Sequence, residues 1–187
     1  MKRIVIFASG SGTNAENLIR FFQNKETISV VMVLTNNPFA KVLDRCKKLE
    51  VSALSFNKVA LINGDVLNLL KASKPDLIVL AGFLWKFPEA ILKVFPNKVI
   101  NVHPALLPKY GDKGMYGMYI HEAVVANKES ETGITIHYVN EHYDEGAIIF
   151  QAKCEVNASD SADDVASKIH ELEMEHFPVV VEKLLSE

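Results

Sequence analysis

Cysteine is scarce in this 187-residue sequence, which contains only Cys46 and Cys154, and these two show no spacing typical of a disulfide or metal site. A long hydrophobic run is also missing, since the longest one, residues 77–85, falls far short of the ~20 residues of a membrane-spanning helix. Neither charge dominates, because 20 basic residues face 23 acidic ones and leave a net charge of −3. These absences argue against a disulfide scaffold and a broad cationic surface. They predict a cytoplasmic protein without membrane or nucleic-acid partners.

Short apolar segments alternate with helical patterns over the first part of the chain, and no linker or repeat divides it. The expected buried strands are rich in Val, Ile and Leu and cover residues 4–8, 29–35, 77–81 and 99–102. Helical spacing is found between them at residues 15–23, 40–49, 64–72 and 88–94. The alternation predicts one α/β domain over residues 1–187, with a mostly parallel central sheet and helices on both faces.

The pattern changes after this region, where a loop over residues 103–119 leads to a short helix near residues 121–127. Two further strands are predicted at residues 133–139 and 148–153. A final helix opens with Ser161 and Asp164 in a capping-box pattern. We expect it to pack on the sheet through an apolar stripe formed by Val165, Ile169, Leu172, His176, Val180 and Leu184.

The first predicted strand runs into a loop of small residues before the first helix, formed by Gly10, Ser11, Gly12, Thr13 and Asn14. Small residues leave backbone N–H groups uncovered, and the N-terminus of the following helix favours an anion. The glycine spacing also fits a dinucleotide fingerprint, but a Thr-Asn-Asn sequence stands where that fingerprint needs an acidic residue. The structural alternative is a tight turn capped by Thr13 and Glu16, and two glycines favour the anion site over it.

Asn101 and His103 stand at the end of the fourth predicted strand, where ligands of open α/β sheets bind. Because the two residues are two positions apart, their side chains point to the same side of an extended chain. An amide donor beside an imidazole that titrates near neutral pH suits acid–base chemistry. Asn and His before Pro also occur as turn formers, so the spacing alone leaves both interpretations open.

The polar loop at residues 141–146 contains three carboxylates and a histidine, any of which can orient His103 if the loop folds over the sheet edge. Charged loops are more often solvated surface, and the pattern by itself favours that role. His121 and His170 are expected to be structural or exposed, and His137 lies on a strand face that turns either toward the site or away from it. No zinc-ligand spacing is present, so no metal is expected.

Five segments together resemble the folate-dependent formyltransferase family, and within it the branch that acts on glycinamide ribonucleotide. They are SGSGTN at residues 9–14, LAGF at 80–83, NVHPALLPKY at 101–110, GITIHY at 133–138 and DEG at 144–146. The Asn-x-His-Pro-x-Leu-Leu-Pro sequence with a downstream Asp is highly specific, and the first segment selects the branch. The resemblance implies a Rossmann-like formyltransferase fold.

The resemblance also implies a reaction of purine biosynthesis, in which the formyl group of the co-substrate 10-formyltetrahydrofolate passes to the glycinamide amine through a tetrahedral intermediate. Asn101 and protonated His103 would stabilise the oxyanion, while Asp144 would orient the imidazolium and relay a proton. Residues 10–14 would bind the substrate phosphate, and Glu175 would contact its ribose side. The folate pocket would be lined by Leu84, Trp85, Lys86, Phe87, Asn101, Val139 and Asp144.

The sequence departs from the family at residues 84–87, lacks a match near residues 57–62 for the Arg that binds the folate tail, and has a longer loop at residues 111–118. Methionyl-tRNA formyltransferase carries an additional RNA-binding domain, for which we expect no room in this chain. Formyltetrahydrofolate hydrolase usually carries a regulatory domain that we do not expect here. A non-catalytic nucleotide-binding module would explain the glycine loop but leave Asn101, His103 and Asp144 without a role. We expect small-molecule substrates and a monomer or homodimer.

Overall fold

The computed structural model describes residues 1–111, 114–142 and 144–186. Its strands are β1 (Lys2–Phe7), β2 (Ile28–Thr35), β3 (Ala53–Ser55), β4 (Leu77–Leu80), β5 (Val99–His103), β6 (Glu131–Tyr138) and β7 (Ile148–Glu155). They form one seven-stranded sheet in the order β3-β2-β1-β4-β5-β6-β7. The first five strands pair in parallel, and β6 and β7 are added antiparallel at one edge. The predicted mostly parallel sheet is confirmed.

The helices are α1 (Thr13–Phe22), α2 (Lys41–Lys48), α3 (Lys58–Ile62), α4 (Asp65–Ser73), α5 (Glu89–Val94), α6 (Met118–Ala126) and α7 (Ala162–Ser186). Successive side chains of a strand point to opposite faces, so β1 divides its residues between two cores. Ile4 and Ile6 pack with residues of α1, α2, α6 and α7, whereas Val5 and Phe7 pack with residues of α3, α4 and α5. The helices therefore cover both faces of the sheet, as predicted. None of the helices within the described residues has the length and apolar character to cross a membrane.

Two short elements, β3 and α3, are absent from the sequence predictions. The three residues of β3 are too few to show a strand period, and the strand exists because it pairs with the end of β2. The single turn of α3 is capped at its N-terminus by Asn57, whose side chain accepts a hydrogen bond from the Ala60 N–H. The other strands and helices lie within a few residues of their predicted bounds.

The capping patterns that the sequence shows at α1 and α7 have opposite outcomes. At α7, Asp164 accepts from the Ser161 N–H at 2.8 Å and the Asp164 N–H donates back to the Ser161 hydroxyl at 3.2 Å, so this capping box is confirmed. At α1 the alternative of a turn capped by Thr13 and Glu16, which the sequence disfavoured, is not found, because Thr13 is already inside the helix and Gly12 precedes it with φ 73° and no side-chain cap. The Glu16 carboxylate contacts Arg20 and Arg45 instead.

The apolar stripe of α7 is confirmed in part. Val165 and Ile169 are buried, and Leu172, Val180 and Leu184 are partly buried against the same core. The buried residues farther along are, however, Phe177, Pro178, Val181 and Leu185. Counting by four from Ile169 reaches Glu173 and then Phe177. The sequence prediction passed over the charged residue and moved to Leu172, which shifted the rest of the stripe by one residue.

Candidate active site

The carboxyl ends of the parallel strands open onto a cavity of about 580 Å³. Its walls come from the loop after β1, the segment after β4, the end of β5, the described part of the loop after β6, and the first half of α7. Such a position beyond the strand ends is where open α/β sheets bind ligands. Residues 112, 113 and 143, which belong to predicted loops 111–118 and 141–146, lie outside the described residues.

Asn101, His103 and Asp144 meet at one wall of this cavity. The Asn101 Nδ2 atom donates to Oδ1 of Asp144 at 3.4 Å, and Nδ1 of His103 lies 3.5 Å from Oδ2 of the same carboxylate. Both β5 side chains point to the same side because they are two residues apart. The structure thus brings together an amide, an imidazole and a carboxylate from two distant parts of the chain.

Asp144 reaches this position because the loop after β6 turns tightly against the end of that strand. Its own backbone has φ 53°, in the left-handed region. At Gly146, an added Cβ would lie 1.6 Å from the carbonyl oxygen of Tyr138, so a side chain there would push the loop away. The glycine of the DEG sequence therefore allows the carboxylate to approach β5.

His137 is a fourth member of this cluster and was not assigned a role from the sequence. It stands opposite Asn101 across the β5–β6 pair. Its Nδ1 lies 2.9 Å from the Tyr138 carbonyl, which only accepts, so Nδ1 carries a proton. In the neutral ring Nε2 is then free to accept from Asn101 Nδ2 at 3.2 Å. The alternation along β6 placed His137 on one of two faces, and only the pairing with β5 decides which.

The buried imidazole of His103 has both nitrogens directed at specific groups. Nε2 lies 2.8 Å from the carbonyl oxygen of Tyr110 and therefore donates to it, which leaves the Nδ1 lone pair facing Asp144. Burial lowers the pKa of His103 below its usual 6.5, although Asp144 and the Tyr110 carbonyl oppose this effect. The imidazole is consequently neutral at pH 7, and the protonated form implied by the resemblance requires a proton taken up at Nδ1.

The loop of small residues after β1 turns around Gly12. An added Cβ at this position would lie 2.3 Å from Cγ2 of Val42, so α2 packs against the loop backbone itself. Residues 10–14 all line the cavity. The first N–H groups of α1 have no partner within the helix, and together with the helix dipole they form a surface suited to an anion.

A buried carboxylate lies at the same end of the cavity, but it belongs to Glu173 and not to the predicted Glu175. Glu173 accepts a hydrogen bond from Asn14 Nδ2 at 2.9 Å, and burial raises its pKa to about 7. Glu175 does not line the cavity, and its side chain is 72% exposed beside His176. Two residues along a helix turn a side chain through about 200°, so the two carboxylates point in nearly opposite directions.

His121 and His170 also line the cavity. His121 is buried and the His170 side chain is 46% exposed, in agreement with the expectation that they are structural or exposed. His121 is buried in the first turn of α6, and its Nδ1 contacts no hydrogen-bond partner among the described residues. Burial lowers the pKa of His121, so its ring is neutral at pH 7. His170 lies one turn before Glu173 on α7, with its Nδ1 3.9 Å from that carboxylate.

Most of the residues predicted for the folate pocket come from the segments after β4 and β6. Phe87 is buried against Phe7, with ring centroids 5.2 Å apart, while Leu84 is half-exposed at the cavity. The Leu84 N–H donates to the Ser9 hydroxyl at 2.9 Å, which ties this segment to the loop after β1. Trp85 and Val139 complete this apolar wall, and Lys86 also lines the cavity. Within the described residues, no three His, Cys, Asp or Glu side chains gather as a metal site.

Comparison with known proteins gives the class to which this fold and site belong. The chain matches the family described as formyl transferase over residues 2–181, and it is therefore a member of the formyl transferase family. A phosphoribosylglycinamide formyltransferase from Bacillus subtilis is 31% identical over 99% of this chain and 95% of its own length. A chloroplastic protein of that name from Vigna unguiculata is 32% identical over the whole chain, which spans 62% of that relative's length.

Solved structures agree with this assignment of the fold. The crystal structure of phosphoribosylglycinamide formyltransferase from Bacillus halodurans is 33% identical, with a TM-score of 0.89 over 100% of this chain and 96% of the other. That of glycinamide ribonucleotide transformylase 1 from Geobacillus kaustophilus is 31% identical, with a TM-score of 0.90 and 99% of both chains covered. The formyltransferase fold implied by the sequence is confirmed.

Proposed function

We propose that this protein is a phosphoribosylglycinamide formyltransferase, which transfers the formyl group of 10-formyltetrahydrofolate to the amine of glycinamide ribonucleotide. The observation that carries the proposal is the meeting of Asn101, His103 and Asp144 between an anion-binding loop and an apolar, aromatic wall. The names of the full-length bacterial relatives support the same activity. The reaction is a step of purine biosynthesis and needs only small molecules. The two free cysteines are consistent with a cytoplasmic location.

The transfer joins the substrate amine nitrogen to the formyl carbon and then breaks the bond between that carbon and N10 of the folate. The amine loses one proton, and N10 of the departing tetrahydrofolate gains one, so no further reactant is required. Negative charge develops on the formyl oxygen in the tetrahedral intermediate. The residues of the site must therefore hold that oxygen and move one proton.

Asn101 and His103 supply these two functions in the proposed mechanism. The Asn101 amide directs one N–H at His137 and the other at Asp144 at 3.4 Å, and the second N–H would turn to the developing oxyanion when the substrates are bound. His103 is neutral at pH 7, and its Nδ1 is the nitrogen able to accept the amine proton. Asp144 faces this nitrogen and stabilises the imidazolium once it forms. His137 fixes the Asn101 amide from the other side.

The two ends of the cavity suit the two substrates. The loop at residues 10–14 offers backbone donors for the phosphate of the ribonucleotide, and we now assign the ribose contact to Glu173 in place of Glu175. A carboxylate accepts hydrogen bonds from two hydroxyls, which is what a ribose presents. The folate ring would lie against the apolar wall that includes Leu84, Trp85 and Val139.

A spectrophotometric assay with 10-formyltetrahydrofolate, run with and without glycinamide ribonucleotide, tests the proposal. We expect tetrahydrofolate to appear only when the ribonucleotide is present, together with one formylated ribonucleotide per folate. Folate product without the ribonucleotide would identify a hydrolase instead. No product under either condition would leave a nucleotide-binding protein and contradict the proposed activity.

A further inference from the structure

Arg45 of α2 makes two contacts that join the loop after β1 to the first turn of α1. Its Nε donates to the carbonyl oxygen of Ser11 at 2.7 Å, and its Nη1 forms an ion pair with Oε2 of Glu16. No motif in the sequence indicated a role for this residue. Its side chain lies behind the loop and is not part of the cavity wall.

The contact with Ser11 determines the direction of a peptide group. In a planar trans peptide the C=O and the following N–H point in opposite directions. Since the Ser11 carbonyl points at Arg45, the Gly12 N–H points away from α2. The neighbouring peptide is held in the same way, because the Val42 N–H donates to the Gly10 carbonyl at 3.2 Å. Both loop N–H groups are therefore directed away from α2, whose Val42 and Arg45 are not among the residues that line the cavity, whereas the loop residues are.

Glycine at position 12 makes this orientation reversible. With φ 73° and no Cβ, Gly12 allows the Ser11–Gly12 peptide to rotate at a lower cost than any other residue would. A rotated peptide would present a carbonyl oxygen to the anion site and repel a phosphate. A fixed donor to the Ser11 carbonyl opposes that rotation.

The Glu16 carboxylate holds the guanidinium in place. Arg45 and Arg20 both contact it, and they keep the pKa of Glu16 below its usual value, so the carboxylate is charged at neutral pH. The planar guanidinium has donors for two acceptors at once, and here one acceptor is in the loop and the other is on α1.

We propose that Arg45 is a positioning residue for the phosphate end of the substrate, because it fixes the Ser11–Gly12 peptide with its N–H toward the anion site. The inference rests on the proposed function, since it assumes that the loop binds the ribonucleotide phosphate. It adds a determinant of substrate affinity that does not itself touch the substrate.

Arg45→Met tests the inference, because methionine keeps an unbranched apolar stem and removes both donors. We expect the KM for glycinamide ribonucleotide to rise roughly ten- to a hundredfold, the range for losing a hydrogen bond to a charged group. The kcat and the KM for the formylfolate should stay within about twofold. Arg20→Met is the matched control: Arg20 contacts the same carboxylate but not the loop, so its ribonucleotide KM should be unchanged.

A binding experiment separates this inference from the proposed function. In ¹H–¹⁵N spectra, inorganic phosphate should shift the Gly12 amide of the wild-type and Arg20→Met proteins in a saturable way, and in Arg45→Met the same shift should require at least about tenfold more phosphate. If the proteins show these phosphate responses but the wild type has no transfer activity, the proposed function is contradicted and the role of Arg45 is still supported. A wild-type phosphate response and ribonucleotide KM in a folded Arg45→Met protein would overturn the inference.

Arg45→Lys provides a second variant if Arg45→Met does not fold. A single ammonium group keeps the positive charge but lacks the planar fork that reaches the loop and α1 together. We expect it to raise the ribonucleotide KM by at least about threefold, with an unchanged folate KM. An unchanged ribonucleotide KM in this variant would equally overturn the inference.

Discussion

Asn14 donates a hydrogen bond to Glu173 at 2.9 Å, across 159 positions of sequence. The contact joins the first turn of α1 to the middle of α7, and both residues line the cavity. Since the carboxylate is only 13% exposed, it is poorly hydrated, and a single amide donor does not compensate for this. Its pKa of about 7 is the result. Because ionising this carboxyl costs free energy in the folded protein, the stability depends on pH.

Glu173→Gln should stabilise the protein above neutral pH. Raising the pKa of a carboxyl from 4.5 to about 7 costs about 3 kcal/mol of folding stability once the group is ionised. The cost is absent below pH 4.5, grows as the pH rises to about 7, and is constant above that. Glutamine carries no charge and still accepts from Asn14. Chemical denaturation should therefore show a gain of about 3 kcal/mol at pH 8 and almost none at pH 4.5.

Glu175→Gln is the matched control for this measurement, because it changes an exposed carboxylate two residues away on the same helix. Its unfolding free energy should follow that of the wild type at every pH. A Glu173→Gln curve that runs parallel to the wild type across the pH range would contradict a buried, weakly compensated carboxylate.

Gly12→Ala should both destabilise the fold and weaken ribonucleotide binding. The added Cβ would overlap Val42, and the left-handed backbone at φ 73° disfavours any L-residue. Together these effects should lower the free energy of unfolding by about 2 kcal/mol or more. The comparison is Gly10→Ala, whose Cβ meets no atom within 4 Å, so its melting temperature should match the wild type. Equal stability of the two variants would show that α2 does not hold the loop as described.

The pH dependence of catalysis should reflect a neutral His103. Because burial lowers the pKa of His103, the acid limb of kcat/KM should have its midpoint below pH 6.5. Asp144 favours the charged ring, so Asp144→Asn should lower the pKa of His103 further, as measured by NMR titration of ¹⁵N-histidine-labelled protein. An acid limb above pH 7, or a higher His103 pKa in Asp144→Asn, would be inconsistent with this assignment.

Much of the fold could be predicted because burial leaves a simple pattern in the sequence. Strands such as β1 and β4 are covered on both faces and appear as continuous apolar runs. β3 left no such pattern, because three residues show no period and its existence depends on a neighbour. The observed bounds of several elements differ from the predicted ones by a few residues for a related reason. The residue at which a helix begins depends on backbone conformation, as at Gly12, and not only on the apolar pattern.

The site was predictable where it is local and unpredictable where it depends on tertiary contacts. Asn101 and His103 share a strand face by spacing alone. Asp144 was found through a family motif, since its approach depends on the path of a distant loop around Gly146. Glu173 was missed because a carboxylate on an apolar stripe looks like an interruption, although the four-residue spacing from Ile169 marks it as inward-facing.

The central claim is that Asn101, His103 and Asp144 act as one unit in formyl transfer. It is tested most directly by the ribonucleotide-dependent kcat of His103→Asn, Asp144→Asn and the double variant. Each single change should lower kcat by roughly a hundred- to ten-thousandfold, the usual contribution of a general acid–base group. The double variant should be no more than about tenfold slower than the slower single variant, because losses within one unit do not multiply. Losses that multiply in full would show that the two residues act independently and would contradict the account.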